Sequence, residues 1–209
     1  MKGFLYKDIC VFRTMWKSYA VLIAVFFVLT LFGIYDLSFM GTFVPILLCM
    51  GTVSSLSVDE QVKWDRFAVS VPNGRAKVVR DKYRFLLLSG ILALGIELVM
   101  ALILFLKGDA ELIADLSIAV GSIMGVFLIS SVSLPLTFRF GYQKARVIAI
   151  GVAALMAGGL GSLAVVAALM LHGNDHRFLL IIGVLTLLAV IALPISYTVS
   201  IRIYRKKEF

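Results

Sequence analysis

Histidine, cysteine and proline are scarce in this chain, and charge is absent from most of its length. Two cysteines are present. Cys10 falls in an amphipathic N-terminal segment and Cys49 in an apolar run, so no disulfide is expected and thiolate metal spacing is missing. The two histidines, His172 and His176, flank Asp175, but they straddle Gly173-Asn174, a turn signal, with no third ligand nearby. An ordinary polar loop is expected there, and no metal site. No Walker A pattern occurs: the run Gly158-Gly159-Leu160-Gly161-Ser162 lacks the lysine and lies in an apolar stretch. Ser162 has no histidine at the same depth, which excludes an intramembrane serine protease. The longest polar stretch covers only 26 residues, 59–84. A soluble catalytic domain has no room, and no catalytic residue, cofactor or metal is expected on this chain.

Hydrocarbon fills the rest. Hydrophobic residues make up 61% of the 209 residues and the mean hydropathy is +1.04, against roughly 45–50% apolar in a soluble domain. Arranged in runs of about 20, this excess means a polytopic membrane protein. The pattern predicts an all-α fold of six transmembrane helices, at 19–35, 37–56, 85–106, 116–138, 147–171 and 178–201, in one permease domain over 1–209. The first apolar run lacks a small-x-small cleavage site and leads into a second, so it is read as a retained span rather than a signal peptide. Residues 1–17 place Leu5, Ile9, Phe12 and Trp16 on one helical stripe, with Lys7, Thr14 and Lys17 opposite. That predicts a helix lying flat in the membrane interface.

Small residues four apart, at Gly121/Gly125, Ala154/Gly158 and Ala157/Gly161, suit helix packing. Pro45 is expected near the start of the second span, and Pro135 and Pro194 are expected to kink the fourth and sixth.

Net charge is +8. The basic residues flank hydrophobic spans, so they orient the chain and meet anionic lipid, and nucleic acid is not the expected partner. Eighteen of the 20 Lys and Arg fall in residues 1–18, 59–84, 139–146 and 202–209; only Lys107 and Arg177 fall on the other side. The positive-inside rule then puts both termini in the cytoplasm of a cell-membrane protein, in keeping with an even number of spans.

Two places carry polar information. Glu97 lies near the middle of the third span, where a charge costs roughly 2.5–3.5 kcal/mol on insertion scales. It therefore faces the protein, a cavity, or is protonated; a helix–helix hydrogen bond and a site on a transport path are equally compatible with it. The second place is 59–84. Trp64, Phe67, Ala68 and Val71 form one apolar face of a short helix starting near Ser57 or Asp59, and Pro72-Asn73-Gly74 ends it. The mixed charges Asp59, Glu60, Lys63 and Asp65 argue against a purely lipid-binding face.

The opening MKGFLYKDI, the six runs, and Trp64, Asp65-Arg66-Phe67-Ala68, Ser70, Pro72, Arg75, Val79 and Lys82-Tyr83 at their spacings resemble the small permease subunits of type-2 ABC exporters. Within that group the chain is most similar to Gram-positive permeases that export or resist antimicrobial and amphipathic peptides, phenol-soluble modulin exporters among them. The resemblance implies a half-transporter. Two permeases pair as a homodimer, and each binds a separate ATP-binding subunit that carries the ATP and Mg. It implies that the cytoplasmic segment between spans two and three is a coupling helix contacting that motor through Asp59, Glu60, Lys63, Trp64, Asp65, Arg66 and Phe67. Arg139 and Tyr142 in the 139–146 loop would form a smaller contact. Spans one, two and five would line the dimer interface or path. The external segment at 172–177 is short for this group, which puts its re-entrant gate in doubt. Two rival readings are a secondary transporter using Glu97 as its ion site, and a non-transporting immunity or scaffold protein.

Overall fold

The computed structural model describes residues 3–71, 73–107, 112–145, 147, 148, 150, 151 and 175–206. Every long element among them is an α-helix and none is a strand. In chain order these are α1 (Gly3–Leu31), α2 (Leu37–Gln61), α3 (Trp64–Ser70), α4 (Gly74–Lys107), α5 (Leu112–Phe140) and α6 (Asp175–Lys206). Five of them, all but α3, are long and apolar enough to cross a membrane. Four of them contain an expected span whole, while α1 ends at Leu31, short of the expected end of the first span at 35; the remaining span, 147–171, lies almost wholly outside the described residues, as do His172 and Ser162.

Two expectations about local structure are corrected. The described part of 1–17 does not form a separate helix: α1 runs unbroken from Gly3 to Leu31. At 1.5 Å per residue it is about 43 Å long against a hydrocarbon core of about 30 Å, so its charged first turns extend past the core. Nothing between Trp16 and Tyr19 breaks the helix, and tertiary contacts below hold its start. Likewise α2 runs on through Asp59 and Glu60 to Gln61, so these residues end a span instead of starting a surface helix. Pro45 stands in the third turn of α2, past the first turn where a missing donor is free. Pro135 and Pro194 lie inside α5 and α6.

The chain divides into two compact units, residues 1–126 and 127–209. In the first, α1, α2 and α4 pack on one another, with α3 against α2 and α4. The α1–α2 turn is closed by Ile34 N–H donating to Leu29 O (3.0 Å) and Gly33 N–H to Thr30 O (2.9 Å). That is a Schellman cap, and Gly33 takes the left-handed conformation it requires (φ 71°). A ladder of Tyr35, Phe39 and Phe43 stacks along α2, and Phe26 of α1 leans on it, its ring 4.8 Å from Phe43. Phe12 covers Gly51, where a Cβ would lie 2.7 Å from the ring. Gly41 approaches the Ala119 backbone; a Cβ there would stand 3.5 Å from the Ala119 nitrogen. In contrast, Gly125 meets nothing among the described residues, so the Gly121/Gly125 pair is not explained by packing at both positions. In the second unit, Ser196 donates to the Ser131 carbonyl, and Phe138 meets the buried Tyr204 edge-on at 5.3 Å.

The α3–α4 connection is the tightest point in the backbone. A Cβ on Gly74 would fall 1.7 Å from the Ala68 carbonyl oxygen, a position no side chain can share. Gly74→Ala should therefore cost about 3 kcal/mol, near the top of the ordinary range for single substitutions. Gly51→Ala meets only a ring that can turn and should cost less. Thermal unfolding of the purified protein checks the order; equal melting points for the two variants would contradict this close approach.

Candidate functional site

The α1–α2–α4 packing ends in a cluster of buried charge. Asp8 comes from α1, Ser55 and Asp59 from the last turns of α2, and Lys82 from the third turn of α4; all four are at most 4% exposed. Lys82 Nζ lies 2.7 Å from Asp8 Oδ1, 2.7 Å from Asp59 Oδ2 and 2.5 Å from Ser55 Oγ. Of the three N–H donors of this ammonium, two form hydrogen bonds, to Asp8 Oδ1 and Ser55 Oγ, while the contact with Asp59 Oδ2 is an ion pair without hydrogen-bond geometry. Ser55 Oγ–H donates in turn to Asp8 Oδ1 at 2.6 Å. Lys7 closes the group from its rim: its ammonium donates to Asp59 Oδ1 and stands 3.2 Å from Asp8 Oδ1. Two ammoniums face two carboxylates, so the cluster is neutral. That neutrality lets it persist where isolated charge would be prohibitively costly.

The sequence did not single out Lys7, Asp8, Ser55 or Lys82 as partners. A signal was present. Asp8 is the only acid in residues 1–18, and at 100° per residue it falls on the side of Phe4, Val11 and Phe12. The exposed side of this segment instead carries Tyr6, Ile9, Arg13, Trp16 and Lys17. The expected Leu5/Ile9/Phe12/Trp16 stripe is therefore split: Phe12 turns inward onto Phe85, 5.8 Å between rings, while Ile9 and Trp16 turn out.

Beside the cluster the chain breaks. Lys63 adopts a left-handed conformation (φ 51°, ψ 38°), and α3 starts at once with Trp64. The helix has seven residues and stops before Val71, which is extended (ψ 138°). The expected four-residue apolar face therefore does not exist as one surface. Ala68 is wholly buried, Trp64 is half-buried, Phe67 is 56% exposed and Val71 is off the helix. Trp64 points back to α1: Phe4 meets it edge-on at 5.9 Å, and the Lys7 ammonium lies 4.8 Å from its ring centroid. Phe67 leans on the Trp64 ring at 4.9 Å.

The residues expected to meet a motor are thus dispersed. Asp59 is inside the cluster and Trp64 is turned inward. Glu60 and Lys63 are exposed, as is Phe67. Asp65 and Arg66 stand in the first turn of α3, and their side chains lie outside what is described. In the second unit Arg139 is exposed over the Phe140 ring (5.1 Å), and Tyr142 is half-buried just after Gly141, whose φ of 81° ends α5. Glu97 is 2% exposed on α4, so it faces protein and not lipid. Cys10 is exposed and Cys49 buried, both as free thiols. Among the described residues no group of acids, cysteines and histidines could hold a metal ion.

A family model described as ABC-2 family transporter protein matches residues 3–205. The chain belongs to the ABC-2 transporter family. No curated protein and no solved structure matches it. Membership covers all six described helices almost end to end. It makes the chain a membrane protein and a permease of the ABC-2 type, a family whose permeases are generally not catalytic themselves and generally work with an ATP-binding partner.

The charge cluster of this ABC-2 permease gives a sharp test of its fold. Lys82→Met leaves two buried carboxylates sharing the rim ammonium of Lys7, and should cost about 3–5 kcal/mol, the usual loss when one partner of a buried pair is removed. Lys82→Met with Asp8→Leu restores neutrality, since Lys7 and Asp59 still pair, and should recover most of that loss. Melting of the two variants in the same detergent decides it.

Proposed function

We propose that this chain is the membrane half of an ATP-driven ABC-2 exporter, working as one transmembrane domain. In this reading both termini and α3 face the cytoplasm, two copies pair, and each carries a separately encoded ATP-binding subunit that holds ATP and Mg. The observation that carries the reading is the family match over residues 3–205, joined to a short, partly exposed helix at the end of the bundle where basic residues collect. The motor would meet Glu60, Lys63 and Phe67 directly, with Asp65 and Arg66 in the same turn. Asp59 and Trp64 would contribute from within, by holding that surface in place. Arg139 and Tyr142 would supply the second contact.

The cargo proposed is an amphipathic or antimicrobial peptide, or a lipid-like molecule entering sideways from the bilayer. This rests on the resemblance to peptide-exporting permeases. Glu97, buried in a span, belongs in the proposal as a polar point between helices. Transport that persists without the ATP-binding subunit and collapses with the proton gradient would replace this account with a secondary transporter.

The contact surface can be tested without knowing the cargo. Phe67→Ala with Lys63→Glu alters two exposed residues and should leave membrane levels unchanged. Retention of the ATP-binding subunit during purification should fall about tenfold or more, the effect of losing one interface anchor. Undiminished retention would remove α3 as the docking element.

A further inference from the structure

The two lysines of the charge cluster differ in what they hold. Lys82 is enclosed: it donates to Asp8 and Ser55 and is ion-paired with Asp59. It joins three spans. Lys7 sits at the rim, its side chain 21% exposed, and it reaches both sides of the break between α2 and α3. On one side it bonds Asp59, in the last turn of α2. On the other it lies 4.8 Å from the ring centroid of Trp64, the first residue of α3. Between them stands Lys63, whose left-handed backbone is disfavoured for a residue with a Cβ. Relaxation of that strain would carry Trp64 away from its seat, and a partly desolvated cation–π contact is comparable in strength.

We infer that Lys7 is the positioning residue for α3: its ammonium, bonded to Asp59 and set against the Trp64 ring, holds the helix at its angle to the bundle. The start of α1 therefore governs the surface that α3 presents. What that surface contacts rests on the motor reading above; the positioning itself does not.

The chain has two tryptophans, Trp16 and Trp64. In a Trp16→Phe background Trp64 is the sole indole fluorophore, and acrylamide quenching in nanodiscs reports its exposure in the permease alone. Lys7→Met should raise the ratio of released to seated Trp64 roughly tenfold, seen as stronger quenching. Lys7→Arg, which keeps both the cation and the reach, should restore the parent value. Lys7→Met with Asp59→Asn leaves Lys82 and Asp8 as a balanced pair and should release Trp64 equally, which separates lost positioning from charge imbalance. Quenching unchanged in Lys7→Met, or raised as much in Lys7→Arg, overturns the inference. Released Trp64 with undiminished retention of the ATP-binding subunit upholds Lys7 as the positioning residue and counts against α3 as the motor contact.

Discussion

Everything at the charged end of this bundle depends on one electrostatic constraint: three buried charges, Asp8, Asp59 and Lys82, must stay matched with the help of Lys7 at the rim. Within hydrocarbon, apolar faces gain little by meeting each other rather than lipid, so the angle and depth of neighbouring helices are weakly specified by greasy contact alone. The long stripes of exposed Val, Leu and Ile on α1, α4 and α6 fit that condition. A cluster in which Asp8, Ser55, Asp59 and Lys82 are all buried is different. Sliding α1 by a single residue would take Asp8 away from Lys82 and leave charge without a counter-charge. The cost of a mismatch, more than the gain of the match, fixes the mutual depth of α1, α2 and α4. It also accounts for the unbroken α1: its first turns are anchored to the protein, so no bend toward the bilayer plane is imposed.

The same constraint shapes the connection that follows. With Asp59 held, α2 ends where it does, and the chain must turn within Val62 and Lys63 to bring Gly74 back beneath the bundle. Lys63 takes a left-handed conformation to do so, and Gly74 leaves out a side chain so that its backbone can touch the Ala68 carbonyl. The seven residues of α3 lie between these two points. Alone such a helix is too short to persist in water, so its order is borrowed from the Ala68 contact and from the Trp64 seat on α1.

Hydropathy made the spans readable, because runs of about 20 apolar residues have one physical explanation. The end of the helices was harder to read. Polar residues near a span look alike in sequence whether they face water or one another. Asp59 and Glu60 are adjacent, yet Asp59 is inside the cluster and Glu60 outside, and only the partners, 52 residues away at Lys7 and on α4 at Lys82, make the difference. Asp8 was legible in principle, as a lone acid on the face of Phe4 and Phe12. The inward seat of Trp64 was not: the spacing permits one exposed apolar face, and nothing in the sequence announces the left-handed Lys63 after which Trp64 meets Phe4 and Lys7.

This sorting changes what the motif at 64–83 can say about function. Ala68 and Val79 are fully enclosed, Lys82 is 1% exposed and Tyr83 7%. Trp64 faces α1, and the close approach at Gly74 permits only a residue without a Cβ. Most of the motif's described residues thus build the connection between α2 and α4, and few are free to touch anything else. The family match itself spans residues 3–205 and is not confined to this segment. The motif carries no information on cargo, because buried residues at one end of a bundle do not meet a molecule crossing it. Along the spans, Glu97 is buried on α4, and Tyr35, Phe39 and Phe43 stack from the α1–α2 turn into α2.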